Sequence, residues 1–167
     1  TAVGADALKG VTTGSYNQGF GRDAGQSITT GSGNVCLGNN ANDAADTSYV
    51  VSIGGFSASA NTVDGTTAVG YYALHSENTG GDNTVVGRQA CANQQGASGN
   101  VAVGYRALYT NTGGIQNVGI GNSSPAHTLD VSGDINISSG NTLRIGGTDA
   151  VFSNWSVDGT DIYRSTN

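Results

Sequence analysis

One short phrase recurs through this chain. The stretch Thr67-Ala68-Val69-Gly70-Tyr71-Tyr72-Ala73-Leu74 is read again at Val101–Leu108 and, in outline, at Thr1–Leu8. Its glycine serves as a marker and falls at Gly4, Gly21, Gly38, Gly54, Gly70, Gly87, Gly104 and Gly121, always 16 or 17 residues apart. A fixed period constrains a fold more than any composition does. Each repeat must be one supersecondary unit that buries its apolar side against its neighbours.

The columns of the repeat say which unit it is. The residue before the marker is apolar in every copy: Val3, Phe20, Leu37, Ile53, Val69, Val86, Val103 and Ile120. Two before it the residues are mostly small, three before it mostly β-branched. Four before it stand Asn17, Asn34, Asn83, Asn100 and Asn117, interrupted by Val50 and Thr66. Alanine recurs three after the marker. Period-two apolar residues punctuated by Gly and Asn are strand chemistry. A unit of 17 residues is too short for two helices and suits one coil of a β-solenoid. The expected fold is therefore all-β: a β-solenoid or β-roll of about eight 16–17-residue coils, each with two short strands and two turns. The glycines supply turns of positive φ or close backbone approach. The asparagines are expected to stack as a ladder of side-chain hydrogen bonds.

Charged residues make up only 11% of the chain, and the net charge is −6. The six basic residues are scattered, so no basic stripe points to nucleic acid. No apolar run is long enough to span a membrane. Val and Ala are the recurring core candidates, which makes a thin core. Burial is expected to be completed by further copies, most simply in a homotrimer. Cys36 and Cys91 lie in different columns, too many coils apart for a disulfide, and are expected as buried free thiols.

Residues 1–121 form the expected solenoid domain. Thr1 falls inside a coil and the chain holds no Met, so a continuation upstream or a processed product is expected. Residues 122–167 change character. The single proline, Pro125, ends the pattern. Alternating residues at 128–131, 134–137 and 141–145, then Ala150–Trp155 and Ile162–Tyr163 around Asp158-Gly159, suggest a β-hairpin stalk or tip. Trp155 is expected to plug the end of the core or to pack on a trimer axis.

The solenoid phrases Asn83-Thr84-Val85-Val86-Gly87 and Thr67–Leu74 resemble the Asn-Thr-Ala-Val-Gly-Tyr-x-Ala-Leu repeats of phage and viral tail-fibre proteins. More distantly they are similar to the head repeats of trimeric autotransporter adhesins. The segment Val118–Ile135, with Pro125 and the Leu129-Asp130-Val131 run, is similar to the stretch found downstream of such repeats in many fibres. The resemblance implies a homotrimeric, extracellular fibre on the virion surface that attaches to a host-cell glycan or protein receptor. It also implies that Arg164-Ser165-Thr166-Asn167 could be an end left by a self-cleaving chaperone domain. A purely structural filament or shaft segment and a bacterial trimeric surface adhesin are the alternatives.

Catalysis finds little support. His75 and His127 lie far apart, Glu77 is the sole glutamate, and no carboxylate pair recurs on neighbouring coils. No enzyme activity and no cofactor are expected. Asp43, Asp46 and the Asp158–Asp161 turn offer carboxylates without a full calcium loop, so no metal is expected. A binding surface is the sharper idea. Tyr71, Arg88 and Tyr105 come directly after successive markers, with Tyr72, Gln89 and Arg106 beside them and His75 and Tyr109 further along. Stacked rings and guanidinium groups grip carbohydrate or protein surfaces. The sequons at Asn122, Asn136 and Asn154 matter only in a eukaryotic secretory pathway.

Overall fold

The computed structural model describes residues 1–76, 79–111, 113–124, 128–132 and 135, and the backbone of 144–145, 148–149, 155–158 and 161–164. The chain divides into two compact units, Thr1–Gly133 and Asp134–Asn167.

The first unit is built on one sheet. Strands β1 (Ala2–Val3), β2 (Gln18–Phe20), β3 (Val35–Leu37), β4 (Val51–Ile53), β5 (Thr67–Val69), β6 (Thr84–Val86), β7 (Val101–Val103), β8 (Val118–Ile120) and β9 (Leu129–Val131) pair in chain order, all parallel. Each sequence column becomes a row: Cys36 pairs with Ser52, Ser52 with Ala68, Ala68 with Val85. The result is a parallel β-solenoid of about seven turns. That is one fewer than a count of markers suggests, because eight markers enclose seven circuits. The sheet also runs on through β9, past residue 121.

The expected second strand of each coil is absent from the described coils. Residues two and four after the marker have positive φ, as at Tyr72 (57°) and Leu74 (50°) or Arg106 (55°) and Leu108 (52°). The reason lies in burial. Residues three and four after the marker are both inside, as in the pairs Ala73/Leu74, Ala90/Cys91 and Ala107/Leu108. A strand sends neighbours to opposite faces and cannot bury both. This turn wall is still bonded from coil to coil. Gln89 N–H donates to Tyr71 O (2.9 Å) and Leu74 N–H to Ala90 O (2.9 Å).

The marker glycines set how closely coils approach. Gly87 has φ of 142°, and a Cβ there would lie 2.2 Å from the Gly104 carbonyl oxygen. Gly21 is similar, 2.5 Å from Gly38 O. No larger residue fits without parting the coils.

The core is one side chain thick. The middle residue of each strand from β2 to β8 is buried (Gly19, Cys36, Ser52, Ala68, Val85, Ala102 and Gly119), and Gly19 and Gly119 are met by the residue four after the preceding marker. Sizes are matched across it: a Cβ on Gly19 would collide with Leu8 Cγ at 2.8 Å, and one on Gly119 with Leu108 Cδ2 at 2.4 Å. The core falls into two clusters, Ala24, Ile28, Cys36 and Ala41 in one, Val50 to Leu108 in the other. Polar groups lie between them: Ser52 Oγ donates to Ser57 O (2.7 Å) and Asn42 Nδ2 to Thr47 Oγ1 (2.9 Å). Both coils of 16 residues, Gly38 to Gly54 and Gly54 to Gly70, start or end here. The cysteines are buried free thiols.

The asparagine ladder is present. Asn34 Nδ2 donates to Asn17 Oδ1 (3.0 Å) and Asn100 Nδ2 to Asn83 Oδ1 (3.2 Å). Each Oδ1 also accepts a main-chain N–H from the coil above, as Asn83 does from Asn100 (2.9 Å) and Asn100 from Asn117 (2.8 Å). The amides of the ladder are thereby bonded to one another and to the main chain, which matters because a lone buried one costs about 1–3 kcal/mol. The ladder lapses at Val50 and Thr66, whose buried Oγ1 has no protein partner.

The apolar residues just before the markers are not in the core, as a Val/Ala core would have them. They point out of the sheet. Val3, Phe20, Ile53, Val86, Val103 and Ile120 are exposed and Leu37 and Val69 half-buried. The small column beside them is the one inside, because the strand alternation allows only one of the two.

A further regularity lies at the corner five residues before the marker. Every position there has positive φ, and large residues alternate with glycine: Tyr16, Gly33, Tyr49, Gly65, Asp82, Gly99, Gln116. The larger residue leans over the glycine one coil before it. A Cβ on Gly33 would meet Tyr49 Cδ1 at 3.0 Å, and one on Gly65 would meet Asp82 Oδ1 at 2.6 Å.

In the second unit, β10 (Arg144–Ile145) pairs antiparallel with β11 (Thr148–Asp149), and β12 (Trp155–Asp158) with β13 (Asp161–Arg164). The last hairpin pairs Asp158 with Asp161, while residues 150–154 and Gly159, read above as parts of its strand and turn, lie outside the described residues. Pro125, His127, Asn136, Asn154, Ser165 and the Trp155 side chain lie outside the described residues.

Candidate functional site

The five residues singled out from the sequence, Tyr71, Tyr72, Arg88, Tyr105 and Arg106, all lie on the turn wall. Main-chain bonding places them. Gln89 N–H bonds to Tyr71 O (2.9 Å) and Arg106 N–H to Arg88 O (3.1 Å), so their coils are in register and the columns stack. With coils about 4.8 Å apart, Tyr71 and Tyr105 stand roughly 10 Å apart in one column with Arg88 between them.

Two clusters result, end to end. In the first, Phe56 stacks on Tyr72 (centroids 5.1 Å, planes 23° apart), Tyr71 meets Tyr72 edge-on (4.5 Å), and Tyr72 meets His75 (4.3 Å). His75 is held by a 2.7 Å hydrogen bond between its Nδ1 and Ser59 Oγ. In the second, Arg88 Cζ lies 4.4 Å from the centroid of Tyr105, and Arg106 Cζ lies 5.3 Å from Tyr105 and 4.9 Å from Tyr109. Gln89 Oε1 accepts from Arg106 Nε (3.1 Å). Tyr71 and Tyr105 remain 51% and 52% exposed. Loss of solvent, followed by the nearby Tyr72 hydroxyl, raises the Tyr71 pKa.

The backbone under this surface is costly. Phe56, Tyr72, Gln89 and Arg106 sit at the position two after the marker with φ of 55–59°. That region disfavours such side chains by about 1–2 kcal/mol each, whereas Asn, Asp and Gly tolerate it.

Sequence reading missed Phe56. Its coil has Gly55 where the next has Tyr71, so no aromatic stands directly after the marker, but Phe56 shares the column of Tyr72. It also missed the corner tyrosines, Tyr16 and Tyr49, which are 88% and 72% exposed. The signal there was alternation with glycine.

Asp43 and Asp46, two of the carboxylates weighed as metal ligands, are engaged otherwise. Asp46 accepts from the N–H groups of Thr29 (2.8 Å) and Gly31 (2.7 Å) and from the Thr29 and Thr30 hydroxyls (2.7 Å each). Those bonds, Thr30's first, hold its carboxyl well below the usual range. Asp43 accepts from Asn40 Nδ2 (2.6 Å). Among the described residues no three His, Cys, Asp or Glu side chains gather as a metal site, and no helix is long and apolar enough to cross a membrane.

Comparison with protein families, curated proteins and solved structures found no match to this chain. The functional reading therefore rests on this geometry and on the resemblance of the repeat.

Proposed function

We propose that this chain is the shaft of a virion tail fibre, a homotrimer that binds a host-cell surface through its turn wall. The observation that carries the reading is the apolar row on the outer face of the sheet. Its side chains repeat on every strand from β1 to β9, and the neighbouring column adds Val35, Val51, Val101 and Val118, each half-buried. At about 4.8 Å per strand the row runs roughly 38 Å. With a width near 10 Å it offers roughly 400 Å², the upper range of what a monomer leaves in water. A stripe two side chains wide on a convex body is best covered around a shared axis, and three copies do this symmetrically. The turn walls then face outward, which leaves the rings and guanidinium groups open to a receptor.

The mass of the protein in solution tests this. Light scattering should give three chains. Val86→Asp with Val103→Asp, placed where both side chains already touch water, should give single chains with an unchanged circular dichroism spectrum. A wild-type monomer overturns the assembly, and an assembled protein that attaches to no cell in a broad panel overturns the adhesive role.

A further inference from the structure

We propose that the surface around Tyr105 takes an anionic saccharide, its acid group held between Arg88 and Arg106 and its rings laid on the neighbouring tyrosines. This inference rests on the adhesive reading above and gives the receptor a chemistry.

Charge is the starting point. The chain carries −6, yet its cations are unevenly used. Lys9 pairs with Asp6 (3.2 Å) and Arg22 with Asp23 (3.2 Å). Arg88 and Arg106 make no ion pair with the described residues, and both are exposed. Instead their guanidinium carbons stand 4.4 and 5.3 Å from the centroid of one tyrosine ring. The face of that ring offsets part of their mutual repulsion. An anion placed between them removes the rest.

Shape narrows the ligand. Gln89 holds only Nε of Arg106, at 3.1 Å, so its two terminal nitrogens are left to donate. A planar guanidinium fork suits a carboxylate or a phosphate, taking two oxygens at once. Tyr71 and Tyr105, roughly two strand spacings apart, present ring area on either side of Arg88. Ring faces, an amide and two forks match the C–H faces, hydroxyls and acid of a sugar chain. An acidic polymer is repelled by the rest of this surface, which makes the patch its preferred contact and makes binding sensitive to salt.

The assembled protein would be titrated calorimetrically with 3′-sialyllactose, trigalacturonate, mannose 6-phosphate and, as the neutral control, lactose. At least one acid-bearing sugar should bind tenfold or more tightly than lactose, and the carboxylate and phosphate arms identify the acid. Arg88→Gln with Arg106→Gln should lose that binding at least tenfold while keeping the mass and Tm of the wild type. If that pair fails to fold, Arg88→Lys with Arg106→Lys keeps the charge, loses the fork and should bind several-fold more weakly. Equal binding of lactose, binding unaffected by these variants, or no binding of any of the four sugars overturns the proposal. In the last case attachment to cells by the same preparation leaves the adhesive reading standing, and its absence takes that reading down as well.

Discussion

The turn wall is two surfaces on one backbone. In the coils of Gly4, Gly21 and Gly38 the strained position is filled by Asp6, Asp23 and Asn40, types that accept positive φ cheaply. Their side chains are engaged locally, Asp6 with Lys9, Asp23 with Arg22, and Asn40 by a hydrogen bond to Asp43. From Gly54 to Gly104 the same position holds Phe56, Tyr72, Gln89 and Arg106, and the guanidinium groups have no acidic partner among the described residues. The torsions agree within a few degrees, so the backbone does not depend on which set is present. The first set is what stability alone favours. The second set carries a local cost that nothing inside the coil requires, a difference that supports the binding surface proposed above.

The comparison assumes a common scaffold, and the strongest test attacks that. Gly21→Ala in the first half and Gly87→Ala in the second each drive a Cβ into the next coil's carbonyl. Each should cost about 4 kcal/mol or more and lower Tm alike. A tolerated substitution in one half would mean the halves are built differently.

Acid should separate them next. Asp46 bridges coils on the first side only, with its folded carboxyl below the usual pKa. Its contribution is therefore complete above about pH 4 and is lost as pH falls from there toward the folded value. The buried thiols report on each side. Loss of solvent pushes Cys36 up to about 11 and Cys91 to about 12, which keeps both inert at neutral pH. With a pyridyl disulfide that reacts in acid, Cys36 should be labelled before Cys91, and Asp46→Asn should remove the pH dependence of that order. Simultaneous labelling would show one cooperative body.

A smaller effect has opposite signs in the two halves. Gln89→Gly relieves positive φ and should stabilise by about 0.5–1 kcal/mol, the strain relief less the entropy of a new glycine. Asn40→Gly should be neutral or slightly destabilising. Denaturant midpoints decide it. The least change is expected from Lys9→Gln, which breaks an exposed pair and should shift stability by less than about 0.5 kcal/mol without altering binding.

Much of this architecture is legible in the sequence. The period, the marker glycines and the asparagine ladder are readable because each depends on residue type at a fixed position. Facing is not. Val86 and Val103 read as core because apolar residues usually are, and only strand alternation against Val85 and Ala102 turns them outward. The second wall reads as a strand because single residues do not announce that Ala73 and Leu74 are both inside. Stacking the columns finds the rings and arginines, whereas their junction with the first half escapes it. That junction lies where the spacing drops to 16 and Val50 and Thr66 replace asparagine.

The alternation at the corner has a consequence for how such a molecule can change length over evolution. One coil looks like the unit of inheritance, but Tyr49 needs the bare backbone of Gly33 beneath its ring. Loss of the single coil that carries Gly33 would set Tyr49 directly on Tyr16. Gain or loss of coils two at a time keeps every large residue above a glycine. Single-coil losses should therefore fall on coils that carry the large residue, and a coil that carries the glycine should be lost only together with its neighbour.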